Sequence, residues 1–284
     1  MRGARIIALA LSWAWLLLFS IAPMAIILVI ALARPADTVP PFSFAVDPGN
    51  FTIAATDDLY RAAFWLSLRT AAVSTAICLV IGYPMALAIA KSGERWRTPL
   101  LLALMLPFWT GFLMRINAWI GMLRDDGWIN AALTMLGFAP MRLLYTDTAL
   151  YIGMVYTYLP FMVLPVYARL AKLDATLLEA AADLGASPLR AFLRVTLPLS
   201  LPGIAAGVAL VFIPCVGEYV IPELLGGPGA QLIGRVMWEE FFENRDWPMA
   251  SSLAWLLLML LVVLPVCVRA VVQAKRARRS GAGG

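Results

Sequence analysis

Histidine is absent from this 284-residue chain, charged residues make up only 14% of it, and there are three cysteines. Without histidine the commonest acid–base catalyst is missing, and no serine or cysteine nucleophile has a plausible base beside it. A Gly-rich phosphate loop with its lysine is also missing, so the chain has no recognisable ATP site of its own. Cys78, Cys215 and Cys267 have no metal-ligand spacing and read as small buried hydrophobes. No catalytic residue, metal site or cofactor is expected.

What the chain does have is apolar length: 62% of its residues are hydrophobic and its mean hydropathy is +0.84. The apolar residues gather in blocks of about 20 or more, the length that crosses about 30 Å of hydrocarbon at about 1.5 Å per residue. Such blocks must be helices, because an open sheet leaves backbone groups unpaired in lipid and the strict alternation of barrel strands is missing. Six are expected: 6–33, 70–90, 98–123, 148–170, 199–224 and 249–272. Little chain remains for a soluble domain.

Lysine and arginine sort by loop, which sets orientation because basic residues resist translocation. Fourteen of the twenty-two lie on one side: Arg2, Arg5, Lys91, Arg95, Arg97, Arg169, Lys172, Arg190, Arg194 and the tail from Arg269 through Lys275, Arg276, Arg278 and Arg279. That side is assigned to the cytoplasm, with both termini. The net charge of +5 is scattered over loop ends, the pattern of topology signals and phospholipid contacts, so nucleic acid is rejected as a partner. Arg2 and Arg5 imitate a signal peptide, but the run after them is far longer than an h-region of about 7 to 15 residues and is expected to stay as the first span.

Between the fourth and fifth blocks lies a long, partly charged cytoplasmic loop, 172–198. Asp174 or Thr176 can cap a helix there, with Leu177, Leu178, Ala181 and Leu184 as its apolar stripe. Gly185 closes that helix, and Ser187-Pro188 starts a second, short one. Ala180, Ala181 and Ala182 leave a flat face beside Glu179 and Asp183. The alternatives are a docking knob for another protein and an interfacial helix among lipid headgroups.

Glu179-Ala180-Ala181, then Gly185, then Val195, Leu197 and Pro198, resembles the signature loop of bacterial ABC importer permeases, E-A-A-x3-G-x9-I-x-L-P, with Val195 in place of isoleucine. "LMLPFWTGFLMRINAWIGML" (104–123) and "GEYVIPELLGGPGAQLIGRVMWEEFFENRDWPMASS" (217–252) look like the permeases of putrescine and spermidine importers. The resemblance implies an all-α type I importer permease with six transmembrane helices, multi-pass in a bacterial inner membrane. Its implied partners are two ATP-binding subunits, a second similar permease, a periplasmic polyamine-binding protein and membrane lipid, with ATP bound by the partner subunit. Glu179, Ala180, Ala181, Gly185, Leu197 and Pro198 would then be the coupling residues. The expected division is 1–62 for the first helix and its external loop, 63–272 for the permease core with the hairpin 174–198, and 273–284 for a basic tail.

A polyamine is a flexible chain of ammonium groups, and such a solute calls for carboxylates and aromatic faces. Glu218 lies about 28 Å from the cytoplasmic edge of the fifth block, and with Tyr219, Trp109 and Asp246 it is a candidate for the pathway. Each also has a bland reading: solvated end, aromatic belt or helix packing. Arg115, deep in the third block, is expected to snorkel or to meet a carboxylate. Pro202, Pro214, Gly217 and Pro222 punctuate the fifth block and suggest that it lines the pathway, an ordinary kink being the alternative. Two rivals are the same machine for ferric iron, thiamine or an anion, and a gradient-driven transporter or membrane scaffold. The external loop 34–58 carries no readable signal.

Overall fold

The computed structural model describes residues 2–263 and Val266, and they form helix after helix with one two-stranded ribbon. The last residues of the sixth expected block, Cys267 and the basic tail 273–284 lie outside the described residues. Two compact units emerge: the residues up to Ala63 with those from Val236 onward, and 64–235.

The first unit opens with α1 (Arg2–Ala31). The ribbon follows, β1 (Arg34–Pro35) antiparallel to β2 (Phe42–Ser43), then α2 (Gly49–Thr56). The loop that carried no sequence signal is thus a built structure. Arg34 pairs with Asp47 at 3.2 Å, and Asp47 accepts from the Gly49 amide at 2.9 Å. Asn50, buried, donates to the carbonyls of Ala31 at 3.1 Å and Ala33 at 2.8 Å, closing the C-terminal end of α1. Ser252 of α13 (Trp247–Leu258), which follows α12 (Ile233–Trp238), donates to the same Ala31 carbonyl. Asn50→Ala orphans the Ala33 carbonyl, while Ala31 keeps its bond from Ser252, and is expected to cost about 1–3 kcal/mol, read as a lower melting temperature of the detergent-solubilised chain; an unchanged melt would contradict this account of the loop.

The second unit is built on α3 (Asp58–Lys91), whose greater part it contains, and on α7 (Asp147–Leu170) and α10 (Leu197–Val216). Ser200, Gly203, Gly207, Val211 and Cys215 recur every three or four residues along α10 and are buried. That spacing makes one face of a helix, and the face lies on α7. The approach is close because the stripe is small: a Cβ added at Gly203 would stand 2.8 Å from the Pro165 carbonyl oxygen, and one at Gly207 2.7 Å from the Met162 sulfur. Small residues four apart let two membrane helices touch backbone to backbone.

Four helices among the described residues are long and apolar enough to cross a membrane: Leu9–Ala31, Asp58–Lys91, Asp147–Leu170 and Pro188–Val216. A fifth span arises if Glu94–Trp109 and Phe112–Met135 are joined across their 89° bend, and Trp247–Val262 is a shorter apolar helix that overlaps the first part of the sixth block. The third block, expected as one span, is therefore broken. Helix α4 (Glu94–Met105) runs into a tight 3-10 turn, Leu106–Trp109, and α5 (Phe112–Leu123) restarts after Gly111. Pro107 inside the turn and extended backbone at Thr110 and Gly111 end the helical hydrogen bonding there. A short α6 (Trp128–Met135) follows.

Arg115 explains how the break survives. Its guanidinium donates to the Pro107 carbonyl at 2.9 Å and the Thr110 carbonyl at 2.7 Å, and lies 5.0 Å from the Phe108 ring centroid and 5.8 Å from that of Phe112. Its partners are the carbonyls that the broken helix exposes, not the carboxylate that is one of the two alternatives expected for it.

Candidate functional site

The hairpin after α7 folds as its local signals dictate. Helix α8 (Ala175–Asp183) is capped by Asp174, whose carboxylate accepts from the Thr176 amide at 3.0 Å. That bond lowers the Asp174 pKa. With the folded value below the unfolded one, the cap is in full force above the ordinary aspartate range and fades only as pH falls through the lowered value. At the other end Gly185 takes φ +75. Its amide donates to the Ala182 carbonyl at 2.8 Å, and the Ala186 amide donates to the Ala181 carbonyl at 2.9 Å. This pair of bonds is the Schellman closure.

Beyond the corner the structure departs from a second short helix. Ser187 and Pro188 start α9 (Pro188–Ala191), which passes through one wide π turn, Phe192–Thr196, straight into α10. Pro188–Val216 is one helical run of 29 residues. Pro198 does not break it, because it sits at the second position of α10, just past the wide turn in which the Leu197 amide reaches back to the Phe192 carbonyl. Ser200 donates to the Leu197 carbonyl at 2.8 Å and meets the Tyr83 hydroxyl of α3 at 3.0 Å; Tyr83 also packs edge-on against Phe192 at 5.8 Å.

Of the residues singled out here, Glu179, Ala180, Gly185 and Pro198 are exposed, and Ala181 and Leu197 are half-buried. Leu177 and Leu184 do not fold inward as an apolar stripe would. Leu184 is 89% exposed, and Leu189 and Leu193 are also open. The knob therefore shows carboxylates at Glu179 and Asp183 beside bare leucines, each worth about 1.5–3 kcal/mol when a partner fully buries it.

Glu218 stands at the far end of the same helical run, in the break between α10 and α11 (Val220–Leu225). The half-buried carboxylate accepts from the Tyr158 hydroxyl of α7 through Oε2 and from the Val220 amide through Oε1 at 3.0 Å. Tyr158 packs against Phe161 at 6.3 Å, Phe161 meets Phe108 edge-on at 5.5 Å, and Phe108 carries the Arg115 guanidinium. An aromatic row thus joins the two broken helices of this unit. Trp109 follows Phe108 in the 3-10 turn and is 79% exposed; Tyr219 is half-buried at the break. Tyr158, Phe161 and Phe108 were not singled out from the sequence, where they look like any aromatic in an apolar run.

Asp246 belongs to the first unit, where it caps α13 by accepting from the Met249 amide at 2.9 Å. Burial pushes its carboxyl pKa up, the Met249 amide pulls it back, and the nearby Glu240 charge adds to the rise. No group of three or more Cys, Asp or Glu among the described residues is placed to hold a metal ion. Cys78 and Cys215 are buried in helix packing, as expected of small hydrophobes.

Residues 4–279 match the family described as binding-protein-dependent transport system inner membrane component. The spermidine/putrescine transport system permease protein PotB of Haemophilus influenzae is 40% identical over 261 residues, covering 91% of this chain and 90% of that protein. Its Escherichia coli K12 namesake is 41% identical over 255 residues, 88% and 92% of the two chains. Among solved structures, a chain of a bacterial ABC transporter importing the acidic polysaccharide alginate superposes with TM-score 0.74 at 17% identity over 96% of both chains. A chain of the inward-facing MetNI methionine ABC transporter gives 0.54 at 20% identity, covering 75% of this chain and 94% of that one. These two likenesses concern the fold, that of type I ABC importer permeases.

Proposed function

This chain belongs to the family of binding-protein-dependent transport system inner membrane components, and we propose that it is the membrane permease subunit of an ATP-driven polyamine importer. Putrescine or spermidine would pass through it from the periplasm to the cytoplasm, both termini lying on the cytoplasmic side. Two spermidine/putrescine permeases near 40% identity over almost the whole chain support the solute. The chain itself carries out no chemistry: ATP is hydrolysed by a pair of partner subunits, and a second permease and a periplasmic polyamine-binding protein complete the machine.

One observation carries the coupling role: the hairpin's second arm is the start of a span. A force on Glu179–Gly185 passes through the Schellman corner into the run Pro188–Val216, with no loop to absorb it. Ala180 and Ala181 keep the docking face low, and Leu197 and Pro198 lie where the arm enters the span. At the other end of that run Glu218, with Tyr219 beside it and Trp109 at the α4–α5 break, is assigned to the solute pathway. Asp246, close in the chain to Glu239, Glu240 and Glu243, is assigned with them to an acidic outer mouth.

Vesicles containing the complete complex test this reading. ATP-dependent uptake of labelled putrescine or spermidine is expected, and Glu179→Ala is expected to reduce it severalfold while the chain stays inserted. Uptake of ferric iron, thiamine or an anion in place of the amines would overturn the substrate. Amine uptake without ATP would overturn the class.

A further inference from the structure

The Glu218 carboxylate is half-buried at the end of a membrane span, and both groups that hold it, the Tyr158 hydroxyl and the Val220 amide, are neutral. Among the described residues no lysine or arginine pairs with it. A carboxylate withdrawn from water without a counter-charge is costly, and in membrane segments such groups belong to sites that a cation visits. Two hydrogen bonds leave further lone-pair positions on the two oxygens.

Next to the carboxylate the lining is aromatic. Tyr158 is only 7% exposed, while Phe161, its ring neighbour, is 38% exposed. Phe108, one ring further, already holds a cation face in the Arg115 guanidinium at 5.0 Å. A metal ion is poorly served here, since Mg²⁺ and Ca²⁺ require about six oxygen ligands or more and this site offers one carboxylate.

We propose that Glu218, Tyr158 and Phe161 form a subsite for one primary alkylammonium end of the solute. The ammonium donates to an unoccupied lone pair of Glu218 and neutralises it, and the first methylenes of the alkyl chain lie on the Phe161 ring. Tyr158 is a positioning residue: its hydroxyl fixes Oε2 and so aims the carboxylate. The assignment rests on the reading of this chain as an amine importer's permease.

Steady-state uptake by the full complex in vesicles, with the loaded binding protein saturating, separates the two. Glu218→Gln keeps both hydrogen bonds, its amide oxygen accepting from Val220 and its NH₂ donating to the Tyr158 oxygen, but removes the charge. It is expected to lower putrescine uptake at least tenfold and to abolish inhibition by n-propylammonium added at the release face. Tyr158→Phe is expected to lower uptake a few-fold and weaken that inhibition in proportion, whereas Phe161→Tyr, which keeps the ring, restores near-normal behaviour that Phe161→Leu loses. Wild-type uptake with all three losses absent would overturn the subsite and leave the importer reading standing. No amine uptake by the wild-type complex would overturn that reading itself. Co-purification of each variant with the ATP-binding subunits and the second permease at wild-type yield shows that the variant complex has assembled.

Discussion

Gly185→Val is expected to cut ATP-driven uptake about tenfold or more while leaving the chain inserted at normal levels. The corner that closes α8 needs φ +75, a conformation that costs an L residue about 1–2 kcal/mol and a β-branched one more. A change of about 1.4 kcal/mol is a factor of ten in the population of the competent corner. Crowding plays no part, since a Cβ at Gly185 meets nothing within 4 Å. The penalty therefore falls on backbone shape, and the side chain chosen should matter in a defined order. Asparagine, which tolerates the left-handed region, should retain most of the uptake, alanine less and valine least. Equal uptake by the asparagine and valine variants would show that the corner's geometry is not what the ATP-binding subunits grip.

Gly203→Leu should have the larger structural effect, removing most of the folded chain from the membrane fraction. Its Cβ alone would stand 2.8 Å from the Pro165 carbonyl oxygen and 2.8 Å from the Arg169 Cβ, and the first of these is backbone that cannot rotate away. Overpacking of this kind costs about 1–3 kcal/mol and occasionally more, and here it falls on the seam that defines the second unit. Gly121 is the control: within α5 it has open space around its would-be Cβ, so Gly121→Ala should be neutral or mildly stabilising. Detergent extraction followed by size-exclusion profiles of both variants reads the contrast; a monodisperse Gly203→Leu peak at wild-type yield would contradict the close α7–α10 contact.

The hairpin corner was legible because its signals are local: a capping aspartate, a glycine, then serine and proline in adjoining positions. The uninterrupted run beyond it was not. Pro198 reads as a break in any linear scan, and the π turn that accommodates it leaves no compositional mark. The bend after Trp109 failed in the opposite sense, for Pro107 and Gly111 were visible but lay in an apolar stretch long enough to cross the bilayer. Glu218 could be found by counting rise along a helix, whereas Tyr158, sixty residues earlier, acquires its meaning only when α7 and α10 pack. The ribbon 34–43 was silent for the same reason: Arg34 with Asp47 and Asn50 with Ala31 are partnerships of the folded chain.

The single run Pro188–Val216, pressed at Gly203 and Gly207 against α7, has the geometry of a see-saw. At about 1.5 Å per residue the hairpin end stands roughly 25 Å from that seam and Glu218 roughly 20 Å from it on the other side. Rocking about the glycines then swings the two ends in opposite senses with nearly equal amplitude, and a tilt of about 5° moves each by about 2 Å. Pressure on the hairpin end in one sense becomes travel of the carboxylate in the other. The arms are nearly balanced, so the rod trades direction and gains almost no mechanical advantage.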